Sequence, residues 1–374
     1  MSQPTDRAVR VGIIGAGNVL WAYLRALDRL VPRGFASLGP VCARRPEKWD
    51  ELLARRPGLQ LVAQPDEVFE SAADLVLIIT PPVSHADLVR QALRKNKHVV
   101  VEKPLAMARS EGEGLAELAG KAGLNLVAAP FVHLAPTFRA FWERIRDGAI
   151  GLPHSARGLY GNAGSTWAGW YHRGEVGPLA EVGIYNLKSL TSLLGPGTEV
   201  LAAEHTAIKR RLAGGDEIND PGHDISHVLL RHESGALSSI VSSHAIQRYR
   251  RPALEIYGTE GTGNLLGDDW DPRGFEIWGN NAGCWHEYEP IEGTWTWTDG
   301  LAEAVTALFE GREPLAEITQ DLHLLEIVEA AAQSARERRW VSLSSRFREF
   351  DLRPAGKRHD PHHLHDHTRP ADEQ

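Results

Sequence analysis

Short apolar runs, punctuated by glycine, proline and charged stretches, organise the first third of the chain. Residues 9–14 cluster Val and Ile as a buried strand does, break into Gly15-Ala16-Gly17-Asn18, and resume as a helix from Val19. Residues 38–43, 74–80, 99–101 and 124–129 repeat that apolar texture. Helical stretches lie between them, one carrying Asp87, Leu88, Gln91 and Leu93 and another running from beyond Lys103 to Ala122. Strands alternating with helices predict βαβ units and a parallel sheet, an α/β domain over residues 1–128.

The texture changes at Pro130. Residues 138–150 read as an amphipathic helix ended by Gly148 and Gly151. Strand-like segments then recur near 154–160, 200–209, 225–232, 236–244, 254–257, 275–278 and 285–288, which predicts a mostly antiparallel open sheet in an α+β domain over residues 129–353. One helix interrupts them, opening after Gly177-Pro178 and closing at Gly195-Pro196-Gly197. Glu181, Tyr185 and Lys188 share one stripe of it, and Gly183, Leu187, Leu190 and Leu194 form the opposite, core-facing stripe. Residues 354–374 are a polar tail.

Composition narrows the class. A chain of 374 residues suits two cores, and 42% hydrophobic with 24% charged residues is a soluble globular balance. A net charge of -8 argues against nucleic acid or an anionic membrane as partner. Cys42 and Cys284 fall in different predicted domains, which points to a reducing compartment. No secretory signal opens the chain and no apolar run reaches the ~20 residues of a membrane span, so the expected location is the cytoplasm.

The chemistry gathers at strand ends. Gly15, Gly17, Asn18 and Val19 form a turn that lets a pyrophosphate approach a helix N-terminus, although Leu20 stands where a third glycine is usual; the alternative is a structural βα turn. The second strand ends in Ala43-Arg44-Arg45 with no acid for a ribose 2′-OH, so the lean is to NADP over NAD, the alternative being two solvated arginines. Thr80-Pro81-Pro82 stiffens the next loop, and His85 either meets a cofactor or makes local hydrogen bonds. Val101-Glu102-Lys103-Pro104 ends a buried strand on a carboxylate and an amine suited to proton transfer. Tyr185, with Glu181 to orient it, suits a proton-passing site wall, and an exposed face is the alternative. His133, Arg157, Trp167, Tyr171, His172, Asn186 and His244 are candidate substrate contacts. Trp295 and Trp297, two apart, predict indoles on one strand face, buried in a homodimer or homotetramer. A tract with His359, His362, His363, His365 and His367 can capture metal adventitiously, and no defined metal site is expected.

The glycine turn, Thr80-Pro81-Pro82-x-x-His85, Glu102-Lys103-Pro104, Asp147-Gly148-Ala149-Ile150-Gly151, the 177–188 segment and Ile256-Tyr257-Gly258-Thr259-Glu260-Gly261 together resemble the Gfo/Idh/MocA family, nicotinamide-dependent oxidoreductases of sugars and polyols. The resemblance implies a Rossmann domain beside an open-faced sheet, with the nicotinamide between Lys103 and the 177–188 helix. It departs from the family pattern at Glu181 and Tyr185, where Asp and His are common, and at Lys188, where another Asp is frequent; the tyrosine resembles the branch holding glucose-fructose oxidoreductase. The expected activity is hydride transfer between a sugar or polyol carbon and NAD(P), with Lys103 and Tyr185 handling the hydroxyl proton. Two rivals are an NAD-dependent glycosidase working by transient oxidation and a non-catalytic nucleotide-binding sensor.

Overall fold

The computed structural model describes residues 7–167, 169–174, 176–290 and 295–348. Six parallel strands, β1 (Val9–Ile14), β2 (Ala36–Cys42), β3 (Leu61–Val62), β4 (Leu75–Ile78), β5 (His98–Val101) and β6 (Leu126–Ala128), lie in the order β3-β2-β1-β4-β5-β6. Their largely apolar sequences match burial on both faces, β4 being apolar and buried throughout. Helices α1 (Leu20–Leu30), α2 (Trp49–Arg55), α3 (Pro65–Phe69), α4 (His85–Arg94) and α5 (Arg109–Ala122) cover them. Strand order reverses between β1 and β4, which opens a crevice at their carboxyl ends. Gly15, Thr80 and Glu102 each stand just past one of those ends.

Helix α6 (Pro136–Arg146) then leads into the second sheet. It starts with proline at its first position and ends four residues short of the predicted limit. The next elements are β7 (Pro153–Gly161), α7 (Ile184–Leu194), β8 (Gly197–His205), a β9–β10 hairpin (Arg210–Ala213, Asp216–Asn219), β11 (Ile225–His232), β12 (Leu237–Ser243), β13 (Leu254–Gly258), β14 (Gly261–Asp268), β15 (Asp271–Gly279) and β16 (Cys284–Tyr288). With β17 (Val341–Ser342), nine of these strands run in the order β16-β15-β14-β13-β7-β12-β11-β8-β17, and all pairs except the parallel β12 and β7 are antiparallel. One face packs α6 and α7, and the other faces outward: alternate residues of β11 are buried and exposed. The predicted antiparallel class holds, while β3, β9, β10, β14 and β17 carry too little apolar alternation to be read from sequence.

Two expectations are corrected. The first core is not confined to the first 128 residues, because α8 (Asp299–Glu310) returns to it: Leu301, Ala304, Val305 and Leu308 pack with Val9, Leu20 and Tyr23. Helix α9 (Ile318–Glu337) joins both units, giving Leu325 to the first and Leu324, Ile327 and Ala331 to the second. Trp295 and Trp297 do not share a strand face. Trp295 packs against the second core, and Trp297 meets the edge of Tyr23 with ring centroids 5.6 Å apart.

Candidate active site

Strand β5 delivers the polar pair at the crevice. Glu102 is buried; Tyr23 Oη on α1 donates to its Oε1 (2.7 Å), and the Lys103 backbone N–H donates to its Oε2 (3.1 Å). Lys103 points the other way, across the junction of the two units. Its Nζ donates to the Glu181 backbone oxygen and to Glu181 Oε1, each at 2.7 Å. Charge-assisted bonds of this kind hold a long side chain in one place.

Glu181 sits on a wide, π-type turn, Leu179–Gly183, that opens α7. Such turns recur at functional sites because they re-aim a side chain that a regular helix would place elsewhere. The turn can lie on β12 because residue 183 is glycine: a Cβ there would stand 2.0 Å from Ser242 Oγ. Burial pushes the Glu181 carboxyl above its usual range, with Lys103 opposing the shift. Its Oε2 is buried with no hydrogen-bond partner among the described residues.

Tyr185 follows one turn later, its ring centroid 5.7 Å from Lys103 Nζ and 5.7 Å from the Tyr160 ring. Burial, then the nearby Glu102 carboxylate, pushes its phenol well above the ordinary value, so it is a neutral donor. Tyr171 and His244 complete the wall with ring centroids 4.4 Å apart. The Asn162 side chain bonds Tyr171 and lies 3.4 Å from His244 Nδ1. Burial, followed by the charges of His172, Arg211 and Lys103, lowers His244 to about 3, so its imidazole is neutral, and Nε2 has no partner among the described residues. Behind it the buried Arg211 pairs with Asp224 (2.8 Å) and donates to the His244 backbone oxygen (2.8 Å).

The structure thus brings Lys103, Glu181, Tyr185, Tyr171, His172 and His244 together and sends other candidates elsewhere. Asn186 is fully buried and donates to Asp269 Oδ2 (2.6 Å), facing the sheet. Arg157 pairs with Glu255 (2.7 Å) on the outward sheet face, its neighbours Ala156 and Gly158 being the inward ones. His133 is fully buried, and that burial, followed by the Lys188 and Arg139 charges, holds it well below its usual value. Trp167 is exposed on the rim, edge-on to Trp170. Lys188 leaves the predicted stripe: it is fully buried and pairs with Asp321 of α9 at 2.7 Å. His85 is also fully buried, with Nδ1 2.8 Å from the Pro104 oxygen and Nε2 2.8 Å from the Thr80 oxygen. Its two ring nitrogens face carbonyl oxygens of two loops, one of them through an N–H donor, and neither is open to a cofactor. Tyr23, Tyr160, Asn162, Arg211 and Asp224 were not legible as site residues, since nothing local in their sequence marks them.

The glycine turn fits a dinucleotide. Gly15 has φ +115, and a Cβ there would stand 2.7 Å from the Ile79 oxygen. A Cβ at Gly17 would meet nothing within 4 Å, so the backbone is open there, ahead of the α1 N-terminus. Asn18 is exposed and Val19 is the N-cap. Past β2, Ala43 is buried, whereas Arg44 and Arg45 are exposed and in no ion pair among the described residues. Thr80 and Pro81 are half-buried at the crevice, and Pro82 is buried. Cys42 and Cys284 are free, no cluster of three metal-ligating side chains occurs among the described residues, and the His-rich tail lies outside them.

The sequence comparisons agree with this geometry. A family model described as an oxidoreductase family with an NAD-binding Rossmann fold matches residues 9–129, and the C-terminal domain model of that family matches residues 138–263. The chain belongs to the Gfo/Idh/MocA family. Membership makes it an NAD(P)-dependent oxidoreductase. D-apiose dehydrogenase of Paraburkholderia graminis is 28% identical over 288 residues, 73% of each chain. The scyllo-inositol 2-dehydrogenase (NAD(+)) of Bacillus subtilis is 27% identical over 267 residues, 69% of this chain and 73% of that one. In fold, the chain matches levoglucosan dehydrogenase solved with NADH, at a TM-score of 0.81 and 20% identity, over 91% of this chain and 100% of that one. Among the described residues, no helix is long and apolar enough to cross a membrane.

Proposed function

We propose that this family member oxidises a hydroxyl carbon of a neutral sugar or polyol, or reduces the corresponding carbonyl, with NADP preferred over NAD. The observation that carries the reading is the Lys103 ammonium held on Glu181 beside the Tyr185 ring, at the ends of the strands that carry the glycine turn. Gly15, Gly17, Asn18 and Val19 would hold the pyrophosphate, Arg44 and Arg45 a 2′-phosphate, and Thr80, Pro81 and Glu102 line the way to Lys103. When bound, the nicotinamide supplies the acceptor for the carbinol hydrogen with its electron pair.

The chain's own residues manage the proton. Tyr185, kept neutral, donates a hydrogen bond to the substrate oxygen and fixes its position. Lys103 passes a proton to Glu181 Oε1 and takes the one released by the substrate hydroxyl, so one O–H bond breaks and one forms. Glu181 is fit to hold that proton because burial has raised its affinity for it. Tyr171, His172 and His244 meet the remaining hydroxyls, His244 through its unpartnered Nε2. The charges at the site pair internally, Lys103 with Glu181 and Arg211 with Asp224, which favours an uncharged substrate. The names of the apiose and inositol relatives support that class. Two free cysteines suit a reducing, cytoplasmic setting, and the outward sheet face suits association between copies.

The test is Lys103→Ala assayed by formation of reduced nicotinamide over a sugar and polyol panel. The expected loss in turnover is about 10²–10⁴-fold, with dinucleotide binding retained. An unchanged turnover overturns the assignment.

A further inference from the structure

The reaction site continues outward as a line of aromatic rings. Beyond the Tyr171–His244 contact, Trp170 lies 5.5 Å from Tyr171 at 59°, and Trp167 lies 6.5 Å from Trp170 at 76°. The line ends in solvent: Tyr171 and Trp170 are half-buried, and Trp167 is 59% exposed. A single exposed indole needs no explanation. Three rings in successive contact, starting at the residue that faces the reacting centre and ending in solvent, form a path.

This path rests on fixed supports. His172 Nε2 lies 2.8 Å from the Ser165 backbone oxygen, the Trp167 backbone N–H donates to Ser165 Oγ (3.3 Å), and the Gly214 backbone N–H of the β9–β10 turn donates to the Thr166 oxygen (3.0 Å). Arg173 pairs with Asp216 of the same hairpin at 2.9 Å. These bonds fix the loop backbone that carries the rings, and an aromatic ring on a fixed backbone, with only two side-chain torsions, offers a large contact area at small entropic cost, its face suiting the C–H-rich face of a sugar ring. The spacing of 5.5 and 6.5 Å is of the order of the step between neighbouring rings in an oligosaccharide. A stacked nucleobase would bring a diphosphate with it, and the guanidinium groups here are already committed, Arg173 to Asp216 and Arg211 to Asp224.

We propose that Tyr171, Trp170 and Trp167 form an outer subsite that stacks on a second sugar ring, so that the substrate is a glycoside or oligosaccharide and the ring that reacts is its terminal one. The proposal rests on the sugar reading of the site, and it concerns binding, which is measurable without turnover.

The experiment titrates the full-length protein, with NADP bound, against maltose, cellobiose, gentiobiose and glucose, following tryptophan fluorescence and calorimetry. At least one disaccharide is expected to bind about tenfold tighter than glucose. In Trp167→Ala that ratio should fall towards one, and in Trp167→Phe most of it should return. The subsite is overturned if no disaccharide binds better than glucose or if the ratio survives in Trp167→Ala. It is equally overturned if the same variant instead loses binding of thymidine diphosphate, or shifts from oligomer to monomer by light scattering. Reduced nicotinamide is read in parallel: disaccharide binding on the ladder with no redox change for any sugar rejects the dehydrogenase reading and leaves the subsite standing, and turnover of glucose with no disaccharide gain does the reverse.

Discussion

Glu102 is buried one residue from the reacting amine, and its two oxygens are occupied by donors from opposite directions, Tyr23 on α1 and the Lys103 backbone N–H. Helix α1 is also the helix whose N-terminus faces the glycine turn, so one phenol connects the dinucleotide helix to the loop that aims Lys103. Tyr23→Phe keeps the ring and its edge contact with Trp297 but removes the donor. The carboxylate oxygen is left without its donor in a largely buried place, and the expected cost is about 1–3 kcal/mol in denaturant unfolding, with turnover falling as Lys103 loses its register. Unchanged stability and turnover would show that Glu102 is held without it. At this scale the sequence was informative about residue types and poor about direction. Lys103, Tyr171, His172 and His244 carry suitable chemistry at a strand end or in loops, whereas Glu181 and Tyr185 lie on a helix stripe whose periodicity alone reads as an exposed face. Arg157 and Asn186 carry equally suitable chemistry, and one point of strand or helix phase turns both away, to Glu255 and Asp269. The Tyr23–Glu102 bond spans 79 positions and has no local signature.

Helix α7 shows how an element can be located from sequence while its faces are partly misread. Proline before it and glycine after it mark its ends, and Leu187, Leu190 and Leu194 pack as the apolar period requires. The polar stripe is split because the π-type turn moves Glu181 to the crevice while Lys188 stays under α9, paired with Asp321 in a setting with no solvent. A third polar contact fastens the same helix to the sheet: Asn186 and Ser189, neighbours across one turn, both donate to Asp269, just past the end of β14. Burial raises Asp269 from its ordinary 3.8 to about 7, with those two donors opposing the shift. The folded state therefore favours the protonated carboxyl. Its contribution to stability is full below about pH 4 and is lost as pH rises to about 7, a change of up to about 4 kcal/mol. Asp269→Asn removes that titration, and its new N–H groups can meet the Asn186 Oδ1 that is buried without a partner among the described residues. Other groups titrate in the same window, the buried histidines among them, so the readout is the difference between the two proteins: in urea unfolding the stability of the variant relative to wild type should rise by about 2–3 kcal/mol from about pH 5 to pH 8; a difference that stays constant would place the carboxyl in contact with water.

At the scale of the molecule, the parallel sheet and the antiparallel sheet were both legible, because each imposes its own periodicity on a long stretch of chain. The way they are joined was not, since α8 and α9 rejoin the first unit from the far end of the sequence through contacts with no local signal, such as the Arg29–Asp299 ion pair. That joining leaves one face of the nine-stranded sheet outward. Leu229 on β11 and Leu237 on β12 point from it, as the pairing of Leu229 with Ser239 and of Arg231 with Leu237 requires, and they are 43% and 40% exposed. Trp285 on β16 is 44% exposed and meets Trp278 of β15 edge to face. Apolar groups spread over one sheet face, with the Arg157–Glu255 pair among them, form a surface that a second copy of the chain can cover by the same residues. Light scattering of the wild type should therefore give a multiple of 41.2 kDa. Leu229→Glu combined with Leu237→Glu sets like charges against each other across a two-fold contact and should yield monomers that still bind the dinucleotide, because neither side chain reaches the first sheet. A monomeric wild type, or a double variant of undiminished mass, would assign this face to solvent and leave the association predicted for the family member without a surface to carry it.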